Sequence, residues 1–397
     1  MTIYGIADVG YVIRTDSLQS GAVHSKTSGV SDGGNAGNRI GFRGTEDLDG
    51  GMKAGFVIET GFSPTTGELL TTRMASGGHQ YAGLASDSTF GTNTGGGYST
   101  GTNRQTYVSL SGGFGEVRAG YMYTDLYELS TLAGYMFGSE NHGSAIAHTW
   151  GNSWTGGTRA NGWKYIAPKM GAVTLSVQGG AGTGRENATF DAANTADGYT
   201  YVRNKRLSFM GTYEQGPLKA SLAHTTYEIG TSARADSDDH IGIFGAALPN
   251  ATSRIANAGE ESNKLTQLGA SYDFGTAKVG ATYNTGTRNI LAMASTTGTL
   301  AKGSSVAVWD VKSYNVGVQV PFGKWSAFAS SGKAEYSTGG STAFDITQSQ
   351  YGVRYNFSKR TVGYFISGQD KDTGTNIVAA TSAAKREFTA LGVMHSF

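Results

Sequence analysis

Apolar and polar residues alternate with a period of two along most of this chain, in runs of about nine to thirteen residues bounded by Gly, Asn, Asp and Ser. Period two places successive side chains on opposite faces of a strand, so each run predicts a strand with one apolar face. Sixteen runs follow one another: Thr2–Arg14, Asn38–Leu48, Met52–Phe62, Thr102–Gly112, Gly115–Tyr123, Thr158–Pro168, Gly171–Ala181, Asn204–Gln215, Leu218–Ile229, Asn263–Phe274, Thr276–Thr287, Asp310–Phe322, Lys324–Tyr336, Ile346–Phe357, Arg360–Lys371 and Lys385–Phe397. The spacers between them alternate in length. LDGGM, SGGFGE, APKMGA, EQGPLK, DFGTAK, VPFGKW and NFSKRT are short and dense in residues that tolerate turn dihedrals. Those that alternate with them include the long Ser63–Gly101, Thr124–Gly157 and Gly230–Ser262, rich in Gly, Ser, Thr and Asn. A sandwich has no reason to keep that asymmetry; a membrane barrel with tight turns on one side and long loops on the other does.

Alternation also assigns an outward apolar face, read as Phe42, Phe56, Ile58, Leu207, Phe209, Tyr213, Tyr272, Phe274, Val316, Val318, Tyr364, Ile366, Leu391 and Val393. Tyr4, Tyr213, Tyr272, Phe274, Phe322, Tyr355, Phe357 and Phe397 lie beside the short turns, where amphipathic rings favour a membrane boundary and would form a girdle.

Composition narrows the choice further. Only 38% of the 397 residues are apolar and 15% charged, with 61 Gly, 5 Pro and no Cys. A soluble chain of this length would need a larger apolar share for its core. A barrel wall needs one apolar residue in two, because its other face meets water. No run approaches eighteen apolar residues, so the sequence holds no transmembrane helix. Lys plus Arg total 31 and Asp plus Glu 30, which argues against a nucleic-acid partner. The lack of Cys removes disulfide and thiolate-metal chemistry and suits an envelope compartment. The strand pattern starts at Thr2 with no leader-like segment, so Met1 is read as a start residue in place of a removed leader and export is inferred.

Several stretches resemble the general, non-specific porins of Gram-negative bacteria, of the β-proteobacterial and neisserial type: TIYGIADVG, NRIGFRGTEDLDGGMKAGFVIE, QTYVSLSGGFGEVRAGY, NGWKYIAPKMG, LGASYDFGTAKVGATY, YGVRYNFSKRT and LGVMHSF, of which RGTEDL and GFGEVRAG are the specific ones. The resemblance spans nearly the whole chain. It implies one all-β domain over residues 1–397, a sixteen-stranded antiparallel transmembrane β-barrel with short periplasmic turns, long extracellular loops and an inward-folded third loop, here 124–157, that narrows the pore. It further implies a homotrimer in the outer membrane, and Phe397 looks like the family's barrel-assembly signal. The family often has Arg where the last strand has Met394, and the acidic third-loop motif of enteric porins has no close copy here.

A porin works by pore radius and the field at its narrowest point, so the decisive residues are lumenal charges. With Ile40 and Phe42 on the lipid face, Arg39 and Arg43 turn inward; the same test turns Lys53, Glu59, Lys164, Arg206 and Arg354 inward. By resemblance, Arg39, Arg104 and Arg159 look like the arginine cluster at the constriction of anion-selective members, with Glu59 as counterpart. Alternation leaves the face of Arg104 open, because Gln105, Tyr107, Val108 and Leu110 do not alternate cleanly. The other role for these arginines is to pair with carboxylates such as Glu46, Asp47 or Glu116. In the third loop Asp125, Glu128 and Glu140 would oppose the basic wall and set a transverse field, while Tyr127, Tyr135, Phe137, Trp150 and Trp154 pack the loop on the wall or offer a stacking platform.

No HExxH or other metal-ligand spacing joins the seven His, and no GxSxG elbow or phosphate-loop context occurs, so neither metal, cofactor nor catalytic residue is expected. The reading is a channel for passive diffusion of small hydrophilic, preferentially anionic solutes. Its expected partners are outer-membrane lipid and lipopolysaccharide. The alternatives are a substrate-specific channel for an anionic nutrient such as an aromatic carboxylate or phosphate, and more remotely a barrel enzyme; a solenoid would show a fixed internal repeat.

Overall fold

In the computed structural model the described residues are 1–18, 21–32, 34–70, 104–133, 159–180, 202–231, 261–291, 306–338, 341–372 and 383–397. They contain β1 (Thr2–Leu18), β2 (Val23–Asp32), β3 (Arg39–Asp47), β4 (Lys53–Phe62), β5 (Leu69–Leu70), β6 (Gln105–Gly112), β7 (Gly115–Tyr123), α1 (Asp125–Ala133), β8 (Arg159–Ile166) and β9 (Val173–Gly180). There follow β10 (Val202–Gln215), β11 (Leu218–Thr231), β12 (Glu261–Asp273), β13 (Lys278–Leu291), β14 (Val306–Phe322), β15 (Trp325–Thr338), β16 (Ser341–Asn356), β17 (Thr361–Asp372) and β18 (Ala383–Ser396).

Every neighbouring pair is antiparallel, and β1 pairs with β18 from Ile6 opposite Ser396 up to the far end of both strands, so the sheet closes on itself. Closure removes the free edges that an open sheet of this width would expose. Phe397 completes the seam: its N–H donates to Gly5 O at 3.1 Å, and its carbonyl accepts from Gly5 N at 3.0 Å. The short strand β5 extends only the end of β4, and β2 and β3 both pair with β1, so they are two halves of one crossing. The wall therefore has sixteen crossings.

All sixteen predicted strands are present. The difference lies in the first hairpin, where the sequence pattern predicted a loop between Arg14 and Asn38. The structure continues β1 to Leu18, turns at once, with Gly21 N donating to Leu18 O at 2.9 Å, and returns as β2. The stretch VHSKTSGVSD has no apolar stripe to betray it; it is a strand because β1 offers an open ladder beside it.

The short turns hold the geometry their residues allow. At Gly216 and Gly323 the backbone takes φ of 56° and 63°, the left-handed region that a β-branched residue would enter only with strain.

The two faces of the wall are chemically inverted relative to a soluble barrel. Leu207, Phe209, Leu222, Leu268, Tyr283, Tyr314, Val316 and Leu391 are exposed on the outside. Their alternates Ser208, Ser221, Gln267, Thr282, Asn284, Ser313 and Asn315 crowd against one another inside. Apolar outward and polar inward is what a lipid surround and an aqueous lumen require together. Among the described residues no helix is long and apolar enough to cross a membrane.

Three outward assignments change. Tyr364 and Ile366 point inward and are 3% and 0% exposed, while Phe365 takes the lipid face. Tyr4 also points inward rather than into the girdle, its hydroxyl donating to Glu59 Oε2 at 3.0 Å. In each case the local run carries apolar residues on both faces; a polar partner decides the side for Tyr4 and Tyr364, and Ile366 joins an inward apolar cluster with Val12, Phe328, Phe388 and Ala390. Tyr272, Phe274, Phe322 and Phe357 do lie exposed at the short-turn rim.

Candidate functional site: an arginine cluster beside an inward helix

The third long connection begins with α1, which leaves the wall after β7 and crosses the lumen to pack on β10, β11, β12 and β13. Thr124 starts it: its side-chain oxygen accepts from Tyr127 N at 3.3 Å, an N-cap bond that satisfies one of the helix's orphan donors. Leu126 and Leu129 are fully buried against Ala223 and Leu265, with Met210 alongside. This small apolar patch on the inner wall is what draws the helix across. Polar bonds then fix its azimuth: Gln267 Nε2 donates to Ser130 Oγ at 2.7 Å and Gln178 Nε2 to the carbonyl of Tyr123 at 2.9 Å.

Charge pins the helix on its near side. Lys164, on the inner face of β8 and 1% exposed, reaches Asp125 Oδ1 at 2.7 Å and Glu128 Oε2 at 2.6 Å. Ser176 Oγ adds a bond to Asp125 Oδ1 at 3.3 Å. Asp125 has no exposed surface at all. Two carboxylates thus meet one cation, which leaves one excess negative charge on the helix. They neutralise Lys164 and anchor the helix, and Lys164 is correspondingly not a free lumenal cation. Glu140, Tyr135, Phe137, Trp150 and Trp154 lie outside the described residues.

Beside the helix four arginines converge. Glu59, on β4 and 3% exposed, accepts from Arg104 Nε at 2.6 Å. Arg104 also donates through Nη2 to the Tyr123 hydroxyl at 2.8 Å. Arg159 lies over the rings of Tyr123 and Tyr127, 4.9 and 5.9 Å from their centroids, and these two rings stack at 4.7 Å. Arg43 stands over the Tyr4 ring at 5.2 Å, and Tyr4 is itself bonded to Glu59. Arg39 is close enough to act electrostatically on Glu59, and its Nε donates to Gly37 O at 3.1 Å. Cation–π contacts orient a guanidinium, and they hold Arg43 and Arg159 over their rings.

Arg104 resolves the question that alternation left open. In the register of β6 the even positions Val108 and Leu110 face lipid, so strict parity would send residue 104 outward. It lies just before β6 at a bend, and its side chain turns back through the wall side of Glu59, leaving it 4% exposed.

The remaining candidates are placed elsewhere. Lys53 pairs with Asp47 at 2.8 Å beside the β3–β4 turn, six residues along β4 from Glu59 and so about 20 Å away. Arg206 is buried on the inner face of β10. Arg354 faces inward from β16 across the Phe328 ring at 4.2 Å and donates through Nε to Asn35 Oδ1 at 2.9 Å. The sequence reading missed Arg118, whose Nε and Nη2 both reach Glu116 at 2.9 Å while its guanidinium covers the Tyr107 ring at 5.2 Å. The alternation Glu116-Val117-Arg118 carried that signal, with Val117 exposed to lipid between them. Among the described residues no group of His, Cys, Asp or Glu is arranged to hold a metal ion.

A family model described as Gram-negative porin matches residues 1–375. The chain belongs to the Gram-negative porins. Outer membrane porin protein 32 of Delftia acidovorans is 26% identical over all of this chain and 94% of its own length. The major outer membrane protein P.IB of Neisseria gonorrhoeae is 31% identical over 32% of this chain and 28% of its own. Among solved structures, the anion-selective porin from Comamonas acidovorans matches with a TM-score of 0.66 at 21% identity, covering 100% of this chain and 99% of that one. The trimer form of in-vitro folded OmpT of Vibrio cholerae matches with a TM-score of 0.59 at 14% identity, over 100% and 98% of the two chains.

This porin is thus an outer-membrane channel and not an enzyme. Its wall accounts for the location, since the apolar outer face needs lipid and the closed ladder pairs the strands with one another. Its polar inner face accounts for the channel.

Proposed function

We propose that this porin passes small hydrophilic solutes and ions by passive diffusion and prefers anions, the preference set where Arg39, Arg43, Arg104 and Arg159 meet. One observation carries the reading: Arg104 and Arg39 both act on one carboxylate, Glu59, while Arg43 and Arg159 lie over the rings of Tyr4 and Tyr123, whose hydroxyls bond to Glu59 and Arg104. Arg39 and Arg104 thus outnumber the carboxylate they act on. In a lumen with low-dielectric walls such an excess raises the local concentration of anions and opposes cations over a distance of about one Debye length, ~8 Å at physiological salt. The porin from Comamonas acidovorans, anion-selective and of the same fold, supports the same sign.

Inward packing of α1 supports the view that the residues 124–157 form the constriction, with the arginines on the wall facing the passage it leaves. The broad apolar outer face and the trimer form of the Vibrio relative support a homotrimer embedded among outer-membrane lipid and lipopolysaccharide.

Two measurements test this. In planar bilayers, conductance rising in proportion to potassium chloride concentration is expected; saturation at low millimolar concentration of one organic anion, with block of the ion current, would favour the nutrient-specific alternative. In liposome swelling, a small anionic sugar acid is expected to enter faster than a cationic solute of equal size. Equal rates would remove the anion preference.

A further inference from the structure

The second crossing is interrupted, and the interruption is built into the inner wall. Val9 pairs with Asp32 and Ile6 with Arg39, so β1 contributes only Ala7 and Asp8 against the six residues that separate β2 from β3. The surplus folds to the lumen side. Asp8, an inward residue with no exposed surface, accepts on Oδ2 from Asn35 N at 2.9 Å and Ala36 N at 2.6 Å, and on Oδ1 from the Tyr364 hydroxyl at 2.6 Å. Its own N–H donates to Asn38 Oδ1. Arg354 holds the side chain of Asn35 from the other side, and Asn35 Nδ2 points at Met394 Sδ at 3.4 Å.

Tyr364 is socketed for this purpose. A Cβ at Gly10, Gly34 or Gly392 would stand 2.8, 2.5 and 2.3 Å from its hydroxyl oxygen, so three chain segments meet around one hydroxyl only because all three are glycine there. At its far end the break reaches the arginines: Gly37 O accepts from Arg39 Nε, and a Cβ at Gly37 would lie 3.2 Å from Arg104 Nη1.

We propose that Asp8 and Tyr364 are positioning residues for the pore: they latch the strand break Gly34–Asn38 against the inner wall of β1, β17 and β18, where it narrows the lumen and sets Arg39 beside Arg104. This deepens the anion-preferring reading above and rests on it for the selectivity arm. A carboxylate that gathers two backbone N–H groups and a hydroxyl has no need of a pore role to be satisfied, yet every donor it gathers comes from, or packs on, the break. Charge-assisted bonds of this kind are the strong class, about twice a neutral one, which suits a latch that must keep a short polar segment out of its preferred hydration in the channel.

The experiment compares single-channel conductance and zero-current potential of the parent, D8A, D8N, Y364F and a variant lacking residues 34–37, which restores an even ladder of two residues against two. Heat-modified gel migration confirms that each barrel is folded. D8A is expected to conduct more than the parent and to move its zero-current potential toward zero, because the break and Arg39 swing free together. D8N and Y364F, which each keep part of the network, fall between. The deletion variant is expected to give the largest conductance of the set, and it keeps the proposal testable should D8A fail to fold.

A folded D8A and a folded deletion variant with parental conductance and potential would overturn the proposal, since a purely structural Asp8 would alter heat stability alone. If instead the parent itself prefers cations, the anion reading fails while a conductance rise on deletion still establishes the latch.

Discussion

Glu59 is the residue on which the cluster turns, because Arg104 bonds to it and Arg39 acts on it electrostatically. Replacing it with Gln leaves Arg104 buried with its charge and without its anionic partner. A lost charged hydrogen bond at a site this enclosed costs about 1–3 kcal/mol, visible as an earlier urea midpoint of the detergent-folded protein. The same change adds one net positive charge to the lumen, so E59Q is expected to prefer chloride more strongly than the parent. An unchanged permeability ratio would remove Glu59 from the field. At this scale the sequence was partly legible. Alternation alone places Arg39, Arg43, Glu59, Lys164, Arg206 and Arg354 on the inner face. It fails at Tyr4, Tyr364 and Ile366, where both faces are apolar and a distant polar partner or, for Ile366, an inward apolar cluster decides, and at Arg104, which precedes its strand and owes its side to a bend.

Among the elements, α1 is held by two leucines and one three-way ion pair, and only the pair involves residues that the sequence marked as functional. Truncating a buried leucine costs about 2–5 kcal/mol by lost transfer and cavity terms, and a short helix docked through two of them loses its apolar anchor when both are cut. L126A combined with L129A is expected to release the segment, seen as faster cleavage by protease added to the outside of proteoliposomes and as noisier single-channel current. Cleavage at the parental rate would mean that the ion pair alone suffices. K164M tests that converse: it strands Asp125 as a buried charge without a cation, and protease sensitivity should rise as well. Neither the docking patch nor the break between β2 and β3 is legible in the chain. Ala223 and Leu265 read as ordinary wall residues, and the Gly-Asn-rich break reads as a loop until its bonds to Asp8 are seen.

The whole molecule is legible in the sequence to a degree unusual for its size, and the reason is physical. A barrel wall is two-faced at every crossing, so one rule, apolar out and polar in, is repeated sixteen times and errors at single residues do not accumulate. The rule makes a paired prediction on adjacent residues of β11. L222R puts a charge on the lipid face near mid-height and is expected to cost about 2–4 kcal/mol, lowering folding yield into lipid vesicles. S221R, one residue away on the lumen side, is expected to fold near the parental yield and to change conductance instead. Equal losses for both would contradict the assignment of faces.

The proposed anion preference depends on converging arginines setting the field of an aqueous lumen. The most direct test is the zero-current potential across a planar bilayer under a potassium chloride gradient, measured for the parent and for R39A and R104A. A potential of chloride-preferring sign that moves toward zero in each variant is the predicted result. A cation-preferring parent, or variants that leave the potential where it was, would contradict it.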